Sequence, residues 1–209
     1  MGKVILNISM SLDGFIAGPK DDADPKRELG ALDVLHDWMF SGKTGHEAEA
    51  WESAYLNHAG AFIMGRRVFD FGVGPWGDNP TFHAPCFVLS HQAQETIVKQ
   101  GGTSYIFITD GIESALEKAR AVAGEKDIIL NGGANATQQY LKAGLLDEIN
   151  LHLVHVLLGE GILLFENIGT EQIKLEKISV TEAPGATHLR FRVVQNPAPQ
   201  PGTNPFASR

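Results

Sequence analysis

Residues 128–143 read IILNGGANATQQYLKA, and this stretch decides the fold class. Its first three residues form a short, continuous apolar run, which is typical of a buried strand. Gly132 and Gly133 then allow a sharp turn with positive φ, and the residues after them have a helical pattern. A buried strand that leads through a turn into a helix is the repeating unit of a parallel α/β sheet.

The same order of strand, turn and helix recurs upstream. Apolar runs at 61–64, 86–89 and 105–108 predict strands, and each leads into a predicted helix, which starts at Arg66 or spans 91–100 or 112–122. These strands are apolar on both faces, so we expect a mostly parallel central sheet with helices packed on both faces.

The two ends of the chain follow other patterns. Residues 4–9 predict a first strand, 10–28 a long loop, and 29–40 and 47–58 two helices. Predicted strands at 148–158, 173–181 and 188–194 follow one another without helices, so we expect them to add antiparallel at an edge. The prediction is a single α/β domain over residues 1–195, with a flexible, proline-rich tail at 196–209.

Composition disfavours several classes of function. Seventeen Lys and Arg against 25 Asp and Glu give a formal charge of -8, so we expect no binding to nucleic acid or anionic membranes. One cysteine, Cys86, cannot form an internal disulfide; we expect it in the core of a cytoplasmic protein. No apolar run approaches the roughly 20 residues that span a bilayer, and the N-terminus does not have the pattern of a signal peptide.

Motif searches for hydrolases and metalloenzymes fail. The chain contains no P-loop, no zinc-protease helix, no G-x-S-x-G and no G-x-G-x-x-G after a first strand. His152 and His155 lie three apart on a predicted strand and should face opposite sides, so we expect no shared metal site.

Three predicted strand ends carry residues suited to a phosphorylated ligand, because helix N-termini attract anions. They are Asn131 to Thr137, with its two glycines; Gly65 to Arg67, with two adjacent arginines; and Leu89 to His91, with Ser90. Each has a simpler alternative. Asn-Gly is a common hairpin turn, two arginines can form a solvated pair, and Ser90 can be only a helix cap.

Five motifs in this order resemble the dihydrofolate reductase-like superfamily, and most of all its branch with the reductase domain of bacterial riboflavin biosynthesis (RibD C-terminal domain-like). They are Ser11 to Ala17, Met64 to Arg67, Val88 to Ser90, Leu130 to Ala134, and Leu157 to Gly161 followed by Leu164 and Phe165. The resemblance runs from about residue 3 to about residue 194.

The resemblance implies an NADPH-dependent reductase, often a homodimer, that transfers hydride to a small heterocyclic (pterin- or aminopyrimidine-like) or carbonyl substrate. By position it implies three groups of cofactor-binding residues. The 2′-phosphate and adenine ribose would meet Gly65, Arg66, Arg67, Val68, Leu89, Ser90 and His91. The pyrophosphate would lie on Asn131, Gly132, Gly133, Ala134, Asn135 and Ala136. The nicotinamide would be bordered by Ser9, Ile16 and Ala17.

Three residues are candidates for the catalytic role of proton donor, namely Asp33, Asp13 and His152, and a bound water is the alternative source of the proton. Asp33 lies where relatives of the superfamily place a carboxylate on the first helix, although it can equally belong to a solvated helix face. Asp13 can be a turn former instead. His152 replaces a threonine that dihydrofolate reductases keep, which argues against folate as the substrate.

Two alternatives stay open on the sequence. The chain can be a non-catalytic nucleotide- or pterin-binding module on the same fold, or its cofactor can be a flavin rather than a nicotinamide.

Overall fold

The structure, a computed structural model, describes residues 1–18, 30–40 and 56–194. The strands are β1 (Val4–Ser11), β2 (Phe15–Ala17), β3 (Ala59–Gly65), β4 (Pro85–Leu89), β5 (Ile97–Val98), β6 (Ser104–Ile108), β7 (Asp127–Leu130), β8 (Glu148–Val154), β9 (Ile162–Leu163), β10 (Lys174–Ala183) and β11 (Ala186–Val194). The helices are α1 (Gly30–Phe40), α2 (Arg66–Gly72), α3 (Ile112–Ala123) and α4 (Ala134–Lys142). A short 3-10 turn spans Gln100–Gly102.

Nine of these strands form one sheet, in the order β10-β11-β8-β1-β7-β3-β4-β6-β5. The six strands from β8 to β6 are parallel to their neighbours. At one side β11 and β10 add antiparallel, and at the other side β5 does so. The predicted mostly parallel sheet with antiparallel C-terminal strands is confirmed.

Helices cover both faces of this sheet, as the two-sided apolar strands predict. On β1, Val4 and Leu6 belong to a core cluster shared with α3 and α4. Ile5 points to the opposite face, where its cluster includes Phe69 of α2. Cys86 is fully buried in that second cluster, and burial raises the pKa of its thiol.

The expectation that residues 148–158 form an antiparallel edge strand is wrong. β8 pairs parallel with β1, from Ile5 opposite Glu148 to Ser11 opposite Val154. The reason is that α4 carries the chain back across the sheet before β8 begins, so β7, α4 and β8 form a parallel crossover unit. β8 is an interior strand between β1 and β11, and the outer strand on this side is β10.

The predicted helix at 91–100 is also wrong. Residues 91–96 have no helical structure, and β5 pairs antiparallel with β6, with Ile97 opposite Tyr105. Thr96, Ile97 and Val98 are consecutive β-branched residues, which favour an extended backbone. In this segment the tertiary pairing with β6 and the local preference of these three residues both act against a helix.

Some predictions lie outside the described residues. These are the greater part of the 10–28 loop, the predicted helix at 47–58 apart from its last three residues, and the tail at 196–209. No helix in the described ranges is long and apolar enough to cross a lipid bilayer.

Candidate active site

A cleft of about 1410 Å³ opens at the carboxyl ends of the parallel strands. It begins at Ser90, after β4, and passes Gly65 at the end of β3 and Asn131 after β7. It ends at Ser9 on β1 and His152 on β8. Pockets for drug-sized ligands usually measure about 300–1,000 Å³. This cleft is larger, so it has room for a dinucleotide together with a small second ligand.

Most of the candidate catalytic and cofactor-binding residues predicted from the sequence line this one cleft. Those that do are Ser9, Ile16, Ala17, Asp33, Gly65, Arg66, Arg67, Val68, Leu89, Ser90, His91, Asn131, Gly133, Ala134, Asn135, Ala136 and His152. Gly132 is not a lining residue, although it shapes the turn that holds Gly133. Asp13 lies outside the cleft.

Packing around the glycine turn is close, and it is closest at Gly132. Gly132 has φ +80°, and a Cβ atom there would lie 2.7 Å from Cδ1 of Ile8. A Cβ atom on Gly65 would lie 3.4 Å from the backbone nitrogen of Gly133. The glycines therefore let the end of β3 and the turn after β7 approach each other closely beneath the cleft.

The start of α4 fits a pyrophosphate. Gly133 precedes its first residue, Ala134, and no side chain caps this helix end. The first N–H groups of a helix have no partner within the helix and give this end a partial positive charge, which attracts phosphate groups. Gly133 and Ala134 both line the cleft, so this charge is presented to a bound ligand.

Arg66 and Arg67 occupy the adjacent part of the cleft. Arg66 Nε donates to Asp70 Oδ1 at 2.8 Å, and its guanidinium lies 5.7 Å from the ring centroid of Phe107. The guanidinium of Arg67 lies 6.0 Å from the ring centroid of Phe71. These aromatic contacts hold both guanidinium groups at the wall of the cleft. Their two positive charges outnumber the one negative charge of Asp70 beside them.

The alternative that Ser90 is only a helix cap is excluded, because no helix follows it. Its Oγ accepts from the backbone N–H of Gln92 at 3.1 Å and closes a short turn. The backbone N–H of Ser90 donates to the carbonyl oxygen of Ile108 at 2.9 Å. The side chain still lines the cleft beside His91 and Arg66.

Asp13 ties two loops together. Its Oδ1 accepts from Ser11 Oγ at 2.6 Å and from the Leu158 N–H at 3.1 Å, and its Oδ2 accepts from the Gly159 N–H at 2.7 Å. The Ser11 hydrogen bond is the largest cause that lowers the pKa of this carboxyl, with help from the two loop N–H groups. A group held ionised in this way and placed outside the cleft is poorly suited to donate a proton there.

His152 lies at the other end of the cleft and is only 2% exposed. Its Nδ1 is 2.7 Å from Nδ1 of His188, and its Nε2 is 3.1 Å from Oδ1 of Asn7. Burial is the main cause that lowers the pKa of His152 well below its ordinary value, followed by repulsion from His188 and His36. The imidazole is therefore neutral at physiological pH.

Trp38 of α1 packs against this histidine pair. Its ring centroid is 4.7 Å from that of His152 and 4.8 Å from that of His188. Its Nε1 donates to Ser9 Oγ at 3.1 Å. Asp33, five residues earlier on α1, also lines the cleft but is exposed.

Sequence reasoning missed Asn7, Trp38 and His188. Asn7 carried a usable signal, since it is the first of three polar residues, with Ser9 and Ser11, in a strand whose other residues are apolar. Its neighbour two residues on, Ser9, points to the same face, which marks that face as polar near the end of β1. Trp38 lies in the predicted helix at 29–40 and carried no separate signal of a site. His188 comes from a strand whose place in the sheet the sequence did not reveal.

A second, smaller cavity of about 80 Å³ lies on the far side of the histidine pair, under β10. His152 lines both cavities, and Asn150, His188 and Arg190 line the smaller one. Both amide atoms of Asn150, which is 1% exposed, are buried without a hydrogen-bond partner among the described residues. Within the described ranges, no three His, Cys, Asp or Glu side chains converge as metal ligands would.

Known proteins share both the sequence pattern and the fold of this chain. The uncharacterized protein YyaP of Bacillus subtilis (strain 168) is 26% identical over 187 residues, which cover 85% of this chain and 87% of YyaP. The crystal structure of a putative riboflavin biosynthesis protein from Shewanella sp. PV-4 has a TM-score of 0.71 at 22% identity, with 92% of this chain and 99% of that chain covered. Dihydrofolate reductase from Enterococcus faecalis, complexed with NADP(H) and RAB-propyl, has a TM-score of 0.55 at 15% identity, with 93% and 98% covered.

These structural likenesses show that the fold is dihydrofolate reductase-like, as the ordered motifs predict. The family model of the RibD C-terminal domain matches residues 2–189, which is nearly the whole chain. The chain therefore belongs to the RibD C-terminal domain family.

Proposed function

We propose that this protein is an NADPH-dependent reductase that transfers hydride to a small heterocyclic (pterin- or aminopyrimidine-like) or carbonyl substrate. The observation that carries the proposal is one continuous cleft with two chemically different ends. One end has the α4 start and two arginines, and the other has Asn7, Trp38 and His152. Such a reaction needs cofactor and substrate aligned side by side, because the cofactor supplies the hydride and the protein supplies orientation.

The residues of the first end fit NADPH by charge and by space. Gly133, Ala134, Asn135 and Ala136 would hold the pyrophosphate at the start of α4, over the glycine turn that no side chain fills. Arg66 and Arg67, with Ser90 and His91 beside them, would hold the 2′-phosphate. Ile16 and Ala17 line the cleft, as does Ser9 at its second end, and these three residues would border the nicotinamide. The arginine pair favours NADPH over NADH, because only NADPH carries the additional dianion.

At the second end the chain's own groups orient the substrate. The neutral His152 ring and the Trp38 ring form a tightly packed wall there. Asp33 lies at the exposed side and is the candidate carboxylate for holding the water or substrate group that exchanges a proton. Asp13, bound to the loop at 158–159, has no part in this proposal.

Calorimetry with NADPH and NADH on the purified protein tests the cofactor, and the fall in NADPH absorbance tests turnover. The substrate panel is dihydropterins, aminopyrimidine ribitol phosphates, quinones and aldehydes. We expect NADPH to bind more tightly than NADH and to be oxidised in the presence of at least one heterocycle. Absence of NADPH binding would overturn the proposal, and a yellow protein that retains flavin would redirect it to that cofactor.

A non-catalytic binding module is the second candidate. It is favoured by the observation that two of the three proton-donor candidates are unsuited to that role. Asp13 is bound to a loop, and His152 is neutral and buried. Tight NADPH binding without oxidation on any member of the panel would establish it.

A homodimer is also part of the proposal. The reason given by the sequence, an apolar edge strand at 149–158, does not hold, because β8 is interior. The outer strand β10 instead exposes Leu175, Ile178 and Val180, and a partner chain would cover them. Sedimentation equilibrium of the protein measures the mass, and a monomer at all concentrations would exclude the dimer.

A further inference from the structure

The floor of the cleft at its second end is formed by polar residues of β1 and β8. Asn7 and Ser9 point to the same face of β1, and His152 is the register partner of Ser9 on β8. His188 is the register partner of His152 on β11. Asn7 lines the cleft, whereas His188 lies behind His152 and away from it.

Asn7, His152 and His188 form a hydrogen-bonded row, the histidine row, in which all donors point in one direction. Oδ1 of Asn7 can only accept, so the Nε2 of His152, 3.1 Å away, carries the hydrogen and donates. A neutral imidazole has one N–H, so the Nδ1 of His152 is an acceptor. The Nδ1 of His188, 2.7 Å away, is then the donor. The chain of donation runs from His188 to His152 to Asn7.

The Asn7 amide is oriented with its oxygen toward His152. With its oxygen held by His152, the part of the side chain that is left for a bound molecule is the NH2 group. No hydrogen bond of Asn7 Nδ2 to any described residue occurs. Trp38 packs on the His152 ring and donates to Ser9, so the imidazole has little freedom to turn and release the amide.

We propose that Asn7 is a specificity-determining residue, whose Nδ2 donates a hydrogen bond to a carbonyl oxygen or unprotonated ring nitrogen of the substrate. The proposal rests on the proposed function in that this end of the cleft is the substrate end. It names the substrate class more narrowly as heterocycles that present an acceptor, such as an oxo group, to the floor of the cleft. A ring with an amino group at that position would place its N–H donor against the NH2 donor of Asn7. Neither group would then be hydrogen-bonded, so such a ligand should bind more weakly.

Two ligands that differ at one position test this directly. They are 2-amino-4-oxopteridine and 2,4-diaminopteridine, and their dissociation constants are measured by calorimetry and by quenching of tryptophan fluorescence. We expect the wild-type protein to bind the oxo compound about tenfold more tightly. The isosteric variant Asn7→Asp replaces the donor with an acceptor, still accepts from His152, and should invert that ratio. Asn57→Asp makes the same change at an exposed position before β3 that lines neither cavity, and it should leave the ratio unchanged.

A second measurement needs no ligand and tests the direction of the row. Nitrogen-15 NMR of the imidazoles should show hydrogen on Nε2 of His152 and on Nδ1 of His188. His188→Asn retains an N–H donor at nearly the same place and should preserve both the tautomer and the ligand ratio. His188→Leu removes the donor and should reduce the ratio toward one, while His155→Leu, a change at an exposed histidine that lines neither cavity, should not.

An unchanged ratio in Asn7→Asp, a hydrogen on Nδ1 of His152, or no binding of either pteridine would overturn the inference. These outcomes are separate from failure of the proposed function, which shows itself as a lack of NADPH binding. If NADPH binds and is oxidised while Asn7→Asp keeps the wild-type ratio, only the role of Asn7 is wrong.

Discussion

The backbone N–H of Gly65 donates a 2.8 Å hydrogen bond to the carbonyl oxygen of Gly132. This bond joins the end of β3 to the turn after β7. The arginines that follow Gly65 and the α4 start that follows Gly133 are thereby held at a fixed separation. The two halves of the proposed cofactor site are one rigid unit, so damage to the turn should affect cofactor binding as a whole.

Gly132→Ala should lower both stability and NADPH affinity. A non-glycine residue at φ +80° costs about 1–3 kcal/mol of folding free energy, and its Cβ would also overlap Ile8. Chemical denaturation and calorimetry measure the two effects. Gly159→Ala is the matched control, with φ +76° and open space around its Cβ, and it should lose stability without losing NADPH affinity. Equal behaviour of the two variants would contradict a role for close packing at Gly132.

Replacing Arg66 and Arg67 with alanine should weaken NADPH binding more than NADH binding. Each charged hydrogen bond to the 2′-phosphate is worth about 1.5–3 kcal/mol, so the loss for NADPH should be at least tenfold. Isothermal titration with both nucleotides measures it, and Arg120→Ala on α3 controls for the loss of a positive charge. Equal losses for NADPH and NADH would remove the arginines from the phosphate site.

Asp13→Asn should have a lower Tm than the wild type at neutral pH. This difference in Tm should shrink as the pH becomes acidic. The pKa of Asp13 is lowered in the folded protein from its ordinary value of 3.8. The carboxylate therefore stabilises the fold above that ordinary value, and this contribution is lost as the pH falls through the folded-state pKa. Thermal unfolding from neutral pH to strongly acidic pH measures the difference in Tm, with Glu160→Gln in the same loop as the charge control. A difference in Tm that does not shrink in acid would exclude the ionised carboxylate as the cause.

Asn150→Leu should stabilise the protein. A buried polar group without a partner costs about 1–3 kcal/mol, and the neighbouring cavity of about 80 Å³ can accommodate the methyl groups of leucine. Urea denaturation measures the free energy of unfolding, with Asn150→Ala as the comparison that removes the amide without filling space. A large destabilisation by leucine would show that ordered water or a ligand satisfies the amide.

Sequence reasoning succeeded best where the information is local. The strand at 128–130, the glycines at 132 and 133 and the helix after them are consecutive, so periodicity and turn chemistry suffice to predict them. The same holds for Gly65 with its arginines after β3. In a parallel sheet such strand ends meet at one edge, so a correct prediction of each unit also predicts their convergence.

Prediction from sequence failed where the residue pattern was ambiguous or where the contacting residue lies far away in the chain. Residues 91–100 have mixed composition, and their strand forms because Ile97 finds Tyr105 across the sheet edge. Asp13 was a candidate proton donor or a simple turn former, but its two backbone partners at 158 and 159 lie about 145 residues further along the chain.

By itself the sequence determined the main alternation of strands and helices outside residues 91–100, the glycine turn and the charged residues of the cofactor end. Each of these features depends on a few consecutive residues. Only the tertiary structure decided that β8 runs parallel beside β1, and that Asn7, Trp38, His152 and His188 meet at the substrate end. Those four residues come from β1, α1, β8 and β11. Their hydrogen-bond direction depends on burial and on contacts between distant segments, and local periodicity carries no record of either.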